Sequence, residues 1–319
     1  MARTRYAPDR GLTARMTLTM FLIGLVFVGF VAALVGILSA THASDGAIIF
    51  FPVVLGLGLG IGSLFYSDKI ALRAARAQVV TAQQAPELHG IVDRLCALAD
   101  MPKPVVAIAP TDMPNAFATG RSSKKAVLCV TQGILRRLDR EELEGVIAHE
   151  MSHVAHKDVV VMTVASFLAI IAGIMIRFAF YSELFGGRGG RGRNNGGAQV
   201  MLMMMAVMVV SVVIYVISFL LIRLLSRYRE LAADRSGALL TGQPSKLASA
   251  LQKVSGSIAQ IPTKDLRSTN GAEALNAFYF APALTRNRVG GGLAAAFSTH
   301  PSLERRLAEL AKISKQLGQ

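Results

Sequence analysis

Four long apolar stretches restrict the fold of this chain more than any other feature. They cover about residues 16–38, 46–66, 159–176 and 198–222, and each is long and uncharged enough to span a bilayer as a helix. Hydrophobic residues make up 52% of the chain and charged residues only 17%. These proportions are unusual for a soluble globule, so we expect a membrane protein with about four hydrophobic helices in the lipid bilayer.

The formal net charge of +14 argues for contact with a membrane surface. Much of the excess is arginine beside the apolar stretches, at Arg3, Arg5, Arg10 and Arg15 before the first and at Arg73 and Arg76 after the second. Such charges orient membrane spans with the basic side in the cytoplasm and contact anionic headgroups. The chain has no tryptophan and aromatic residues are rare among the basic ones, so we expect no nucleic-acid partner.

The third and fourth apolar stretches leave two topologies open. The segment between them, residues 186–197, is rich in glycine and basic, and a crossing hairpin would place its arginines outside, against the positive-inside tendency. A hairpin buried at the membrane surface avoids that placement. Residues 198–222 are nevertheless long enough to span and carry no charge, which favours crossing. In both topologies, residues 67–158 and 223–319 share one compartment, the cytoplasm.

His149, Glu150 and His153 form an H-E-x-x-H pattern. On a helix, residues four apart project from one face, so both imidazoles can bind one metal ion. Glu150 lies between them, where it can act on a water molecule at the metal instead of on the metal itself. This arrangement is typical of zinc-dependent peptidases, but a five-residue pattern also arises by chance and needs support elsewhere in the chain.

Glu230 and Asp234 supply that support. Catalytic zinc needs three protein ligands and one open position, and two histidines with one glutamate form a standard set. Because Glu230 and Asp234 share a helical face, Glu230 can bind the metal while Asp234 accepts the free ring N–H of a ligand histidine. The alternative is an ordinary solvated helix face on which both carboxylates pair loosely with arginines.

Further motifs accompany the H-E-x-x-H pattern and the Glu230–Asp234 pair. The set is His149-Glu150-Met151-Ser152-His153 with Asp158 after it, Glu230-Leu231-Ala232-Ala233-Asp234, Pro114-Asn115-Ala116-Phe117-Ala118-Thr119-Gly120, and Ser298-Thr299-His300-Pro301 followed by Arg306. With these motifs the chain resembles the HtpX-type membrane-bound zinc metalloproteases, relatives of the CAAX prenyl proteases. The resemblance extends over about residues 16–312.

The resemblance implies a zinc endopeptidase that binds one Zn²⁺ per chain through His149, His153 and Glu230. Glu150 is then the general base for the zinc-activated water. Asp234 is the residue that orients a ligand histidine.

Three more residues receive roles from the resemblance alone. His300 is the expected catalytic donor that stabilises the oxyanion together with the metal. Asn115 and Arg306 are the expected substrate contacts, and Arg306 could instead orient His300. Without the resemblance, His300 would be only the lead-in to a helix opened by Pro301.

The implied substrates are unfolded or membrane-embedded proteins. This corresponds to quality control and stress response at a bacterial-type inner cell membrane, with the catalytic site facing the cytoplasm. Two other functions stay open. A scaffold that has lost turnover is disfavoured because every expected catalytic residue is present. A prenyl-protein processing enzyme is disfavoured because four apolar stretches are too few to enclose a large chamber.

The remaining segments predict a small α+β unit around the site. We expect helices over residues 85–99 and 303–310, and strands over 105–109, 114–119 and 126–131, with the last two joined by a polar turn. By resemblance, strand 114–119 lies beside the metal, where its edge can pair with extended substrate backbone. Residues 256–292 are expected to form a long mobile connector.

The expected fold is thus a membrane α-helical protein with a cytoplasmic α+β zincin-like metalloprotease domain. It divides the chain into a basic tail (1–15), a transmembrane helical hairpin (16–66), a first catalytic part (67–158), a second hydrophobic hairpin with a Gly/Arg-rich loop (159–222) and a second catalytic part (223–319).

Overall fold

The computed structural model describes residues 10–40, 47–186, 196–260 and 300–318. The described helices and strands, in chain order, are α1 (Arg10–Ala40), α2 (Ala47–Ala74), β1 (Gln78–Val79), α3 (Pro86–Ala99), β2 (Val105–Ala109), β3 (Ala116–Thr119), β4 (Val127–Thr131), α4 (Gln132–Arg137), α5 (Arg140–Ala155), α6 (Asp158–Gly186), α7 (Gly196–Thr241), α8 (Pro244–Gln260) and α9 (Leu303–Gln316). They form two compact units, an apolar one over residues 15–63 and 161–225 and an α+β one over the rest.

The apolar unit is built from long helices whose outer surfaces are apolar. Three helices of the described chain are long and apolar enough to cross a membrane, over Arg10–Ala40, Asp158–Ser182 and Met201–Thr241. The second expected stretch lies in α2, whose described apolar part is the shorter Val53–Gly62. Of the four expected hydrophobic helices, three are therefore confirmed.

The core of the apolar unit lies between α1, α6 and α7. Phe30 and Leu34 of α1 pack with Leu168, Met175 and neighbouring residues of α6 and with Val207 of α7. Large apolar side chains on the opposite faces, among them Phe21 of α1, are exposed. Exposed apolar surface of this extent is stable in hydrocarbon and costly in water.

A four-stranded sheet with the order β1-β2-β4-β3 organises the α+β unit. Strand β2 pairs parallel with β4, whereas β3 pairs antiparallel with β4 and lies at the edge. The expected strands are confirmed, although β3 begins at Ala116 and β4 at Val127, after the starts expected at 114 and 126. Since β4 pairs with both β2 and β3, β4 is central and β3 lies at the edge.

Helices cover one face of the sheet and form the main core. Leu95 of α3, Leu128 of β4, Ile147 of α5 and Leu251 of α8 belong to one buried cluster, which also includes α9 residues. The opposite face is closed by the last turns of α2, where Ala71 packs with Phe117 and Cys129. Phe117 is therefore a core residue.

The helices expected around the sheet are also present. Helix α3 begins at Pro86, one residue after the expected start, and α9 extends past the expected end at 310 to Gln316. Residues 256–260 of the expected connector over 256–292 instead belong to α8. The rest of that connector lies outside the described residues, as do most of the loop over 186–197 and of the turn after the first apolar stretch.

Candidate metal centre and active site

Helix α5 presents both histidines of the H-E-x-x-H pattern to one point. It begins with a capping box between Asp139 and Glu142 and continues unbroken to Ala155, so His149 and His153 are one turn apart. Their Nε2 atoms lie 3.2 Å apart. His149 is only 1% exposed, and this burial lowers the pKa of its imidazole. A neutral ring is the form that binds a metal ion.

Glu230 of α7 completes the group. Its Oε1 lies 3.6 Å from His153 Nε2, and its Oε2 lies 3.8 Å from His149 Nε2. One ligand atom from each of His149, His153 and Glu230 falls within 4.8 Å of the others. Two imidazoles and one carboxylate are the donor set expected for catalytic zinc.

Carboxylates on the far side of each ring set its tautomer. Asp234 Oδ1 lies 2.9 Å from His149 Nδ1, and Asp158 Oδ2 lies 2.7 Å from His153 Nδ1. When each Nδ1–H donates to its carboxylate, both Nε2 atoms carry lone pairs that face each other. Bare lone pairs at this separation repel, whereas two nitrogens bound to one tetrahedral zinc stand about 3.4 Å apart. The residues present therefore fit a zinc ion.

The contact between Asp158 and His153 was not predicted from the sequence, where Asp158 appeared in a motif without an assigned role. Helix α5 ends at Ala155, and Lys157 has a φ of +56°. This left-handed residue turns the chain before α6, so Asp158 at the start of α6 reaches back to His153. A non-glycine residue in this conformation gives no local sequence signal, because glycine or asparagine is the usual choice.

Arg306 and His300 approach the site from the C-terminal segment. The Arg306 Nε and Nη2 atoms donate to Asp234 Oδ2 and Oδ1, at 2.7 and 2.6 Å. Arg306 Nη1 lies 3.8 Å from Glu230 Oε2, and His300 Nδ1 lies 3.1 Å from the same oxygen. Both residues are therefore brought to the expected site, and the substrate contact expected of Arg306 stays a prediction.

The side chain of Glu150 extends from α5 to the edge strand β3. Its Oε2 accepts a hydrogen bond from the backbone N–H of Ala118 in β3, at 3.1 Å. Burial raises the pKa of Glu150 to about 7. A carboxylate with a pKa near neutrality is suited to both accept and return a proton.

Asn115 directly precedes β3 and lies beside β4, the strand that pairs with β3. Its backbone N–H donates to Thr131 Oγ1 at 2.9 Å, and its carbonyl accepts from the Thr131 N–H at 3.0 Å. The residue is buried. These bonds fix the start of β3, and the substrate contact expected of Asn115 stays a prediction.

The chain also matches a known protein family. Residues 82–314 match the model of peptidase family M48. The chain belongs to peptidase family M48. It is accordingly a metalloprotease, and the three long apolar helices make this M48 peptidase a membrane protein.

Similar sequences extend over nearly the whole chain. Protease HtpX homolog 1 of Streptomyces coelicolor is 56% identical over 99% of this chain and 97% of its own length. The Protease HtpX homolog of Moorella thermoacetica is 46% identical over 99% and 98%. The expected resemblance to HtpX-type proteases is thus confirmed.

A solved structure shares the fold. The crystal structure of S. mikatae Ste24p matches with a TM-score of 0.51 at 15% identity, over 95% of this chain. This chain spans 66% of the length of that one.

Proposed function

We propose that this M48 peptidase is a membrane-anchored zinc endopeptidase that hydrolyses peptide bonds of misfolded or membrane-embedded proteins. The observation that carries the proposal is the convergence of His149, His153 and Glu230, with both rings turned toward one point by carboxylates. Glu150 follows His149 directly in the sequence and is buried. Family membership supports the peptidase chemistry.

One zinc ion per chain would be held by His149, His153 and Glu230. Bound there, zinc supplies a Lewis acid that polarises a carbonyl and makes water acidic near neutral pH. Asp234 keeps the Nδ1–H tautomer of His149, so that its Nε2 stays available as a ligand.

Glu150 is the general base. Its carboxylate is oriented by the Ala118 N–H on Oε2, and burial gives it a pKa at which it accepts a proton from water and passes it to the leaving amine. His300 stabilises the oxyanion; its ring already lies beside Glu230. Arg306 holds Asp234 and contributes to substrate binding with Asn115.

Substrate recognition depends mainly on the peptide backbone and only weakly on the sequence. Strand β3 pairs only with β4 in the described sheet, and its outer edge borders Glu150. An extended peptide that adds to this edge forms main-chain hydrogen bonds of the same kind for any sequence. Unfolded segments offer such backbone and folded proteins do not, which matches a role in quality control.

The proposed location is a bacterial-type inner membrane with the α+β unit in the cytoplasm. The arginines at Arg10 and Arg15 before the first apolar stretch and at Arg73 and Arg76 after the second support this orientation. The proposed division of the chain places the hydrophobic hairpins over residues 16–66 and 159–222.

The test is cleavage of an unfolded protein by the detergent-purified full-length chain, with and without a zinc chelator. We expect cleavage that the chelator abolishes and that Glu150→Gln abolishes without loss of bound zinc. Glu144→Gln is the matched control, because Glu144 is a buried carboxylate on the same helix that pairs with Arg94 at 3.3 Å instead of facing the site. Full activity of the Glu150→Gln variant would refute the assignment. Bound zinc without any cleavage would favour the scaffold.

A further inference from the structure

Arg229 connects three segments around the metal centre. It lies next to Glu230 in α7 and is buried despite its charge. Its guanidinium forms an ion pair with Asp158 Oδ1, and its Nη2 donates to the carbonyl oxygen of His156 at 3.2 Å. His156 caps the end of α5, and Asp158 begins α6. One side chain therefore holds α7, the end of α5 and the start of α6 together.

The contacts of Arg229 extend through Asp158 to His153, a candidate metal ligand. Asp158 uses Oδ1 for Arg229 and Oδ2 for His153 Nδ1, so the order of contacts is arginine, carboxylate, imidazole. Arg229 is at the same time the sequence neighbour of Glu230. Its position is thus coupled to two of the three candidate ligands, one through side chains and one through the backbone.

The other histidine is held in the same way. His149 Nδ1 lies 2.9 Å from Asp234, and Asp234 accepts two hydrogen bonds from Arg306. Each candidate histidine ligand therefore contacts an aspartate, and that aspartate contacts a buried arginine. The two arginines come from different parts of the chain, Arg229 from α7 and Arg306 from α9.

Stability alone is a weak explanation for such pairs. Removing an arginine and a carboxylate from water is unfavourable, and their attraction often offsets only part of that desolvation. The pair Arg229–Asp158 also supports the left-handed turn at Lys157, which is itself unfavourable. The buried ion pair and the left-handed turn are both explained if the Asp158 carboxylate must occupy one specific position.

We propose that Arg229 is a positioning residue for the metal. Through Asp158 it fixes the tautomer and the ring orientation of His153, and through the backbone it keeps Glu230 in register with that ring. The inference rests on the proposed function, since it takes His153 and Glu230 as metal ligands.

The experiment compares Arg229→Gln, Arg229→Lys and Arg136→Gln in the full-length chain in detergent. Zinc affinity is measured by competition with a chromogenic chelator, and the geometry of the site by the visible spectrum of the Co²⁺-substituted protein. We expect Arg229→Gln to bind zinc about 10- to 100-fold more weakly and to show an altered cobalt spectrum.

Two further variants define the specificity of the effect. Arg229→Lys should be intermediate, because an ammonium keeps the charge but lacks the planar guanidinium whose Nη2 contacts both Asp158 and the His156 carbonyl. Arg136→Gln is the matched control, since Arg136 pairs with Asp112 at the exposed surface of the same unit. It should leave both readouts unchanged.

Wild-type zinc affinity and an unchanged cobalt spectrum in Arg229→Gln would overturn the proposal. If that variant does not fold, as judged by circular dichroism, Asp158→Asn takes its place, and unchanged affinity there overturns the proposal equally. A wild-type chain that binds zinc but cleaves no protein would defeat the proposed function and leave this inference standing. A wild-type chain that binds no zinc would defeat both.

Discussion

Gly237 of α7 lies directly against the backbone of His149 in α5. A Cβ atom at Gly237 would stand 2.9 Å from the His149 nitrogen and 3.1 Å from its Cα. Real Cβ atoms do not approach backbone this closely, so only glycine permits the contact. The two helices that carry the candidate ligands can therefore approach each other because this residue has no side chain.

Gly237→Ala should separate α7 from α5 and weaken the metal centre. The obstructing atoms belong to backbone, which cannot rotate away, so we expect destabilisation of about 1–3 kcal/mol. Zinc affinity and cleavage should fall with it, because Glu230 and Asp234 lie on the displaced helix. Chelator competition and thermal unfolding measure the two effects.

Gly90→Ala is the control for this substitution. Gly90 lies in α3, and a Cβ there meets no atom within 4 Å. Alanine favours a helix over glycine by up to about 1 kcal/mol, so this variant should be as stable as the wild type or more stable. Equal tolerance of both alanines would show that the α5–α7 contact is not close in solution.

Glu142 should make the stability of the α+β unit depend on pH. Burial disfavours its charge, but hydrogen bonds from Lys253 and Ser249 of α8 outweigh that effect and lower the pKa of Glu142 below its usual value. A lowered folded-state pKa stabilises the fold above the unfolded-state pKa, and this stabilisation is lost as the pH falls through the folded value. Glu142→Gln should therefore lower Tm at neutral pH.

The difference in Tm between Glu142→Gln and the wild type should shrink as the pH falls through the lowered folded-state pKa of Glu142, where the wild-type carboxylate becomes protonated as well. Glu304→Gln serves as the control, because Glu304 is exposed in the first turn of α9. A Tm difference that is the same at acidic and neutral pH would contradict this explanation.

The helical period was sufficient to predict how His149 and His153 are arranged. Residues four apart on a helix share a face whatever the rest of the chain does. Strand β2 was equally predictable from the sequence, since a short apolar run bounded by prolines and polar residues has few alternative structures. These features depend on local sequence, which is why their bounds differ from expectation by at most two residues at the strands.

The ion pairs of the two buried arginines were not accessible in this way. By local pattern alone, Arg229 and Arg306 look like ordinary solvated arginines, and only the fold shows that they are buried against Asp158 and Asp234. Contacts between elements separated by 70 or more residues, such as Arg306 with Asp234, leave no periodic signal. The turn at Lys157 adds to this, since its conformation is unusual for a lysine.

Arg306→Lys separates two roles of this residue. Arg306 is 1% exposed, and two of its nitrogens donate to Asp234. Lysine keeps the charge but loses the paired hydrogen bonds. If Arg306 acts by holding Asp234, zinc affinity should fall while KM measured at saturating zinc stays close to that of the wild type. A raised KM with unchanged zinc affinity would instead assign Arg306 to the substrate.

Cysteine labelling should report the membrane topology. The native thiols do not interfere, because burial raises the pKa of Cys96 to about 11 and that of Cys129 to about 12. In sealed cells without their wall, a membrane-impermeant maleimide should label Asn194→Cys, outside the described residues, but should label Lys312→Cys of α9 only after permeabilisation. Protection of both positions would mean that the second hairpin does not cross.

Ala118→Pro should remove the hydrogen bond that orients Glu150. The Ala118 N–H donates to Glu150 Oε2 and not to β4, so proline at this edge position removes no bond between strands. We expect kcat to fall by roughly 10- to 100-fold, by analogy with the loss of other orienting contacts. Zinc affinity should be unchanged, because none of the three candidate ligands bonds to this N–H. Ala118→Gly, which keeps the N–H and loses only a methyl group, should retain nearly full kcat. An unaltered kcat in the proline variant would show that Glu150 is positioned by its own helix alone.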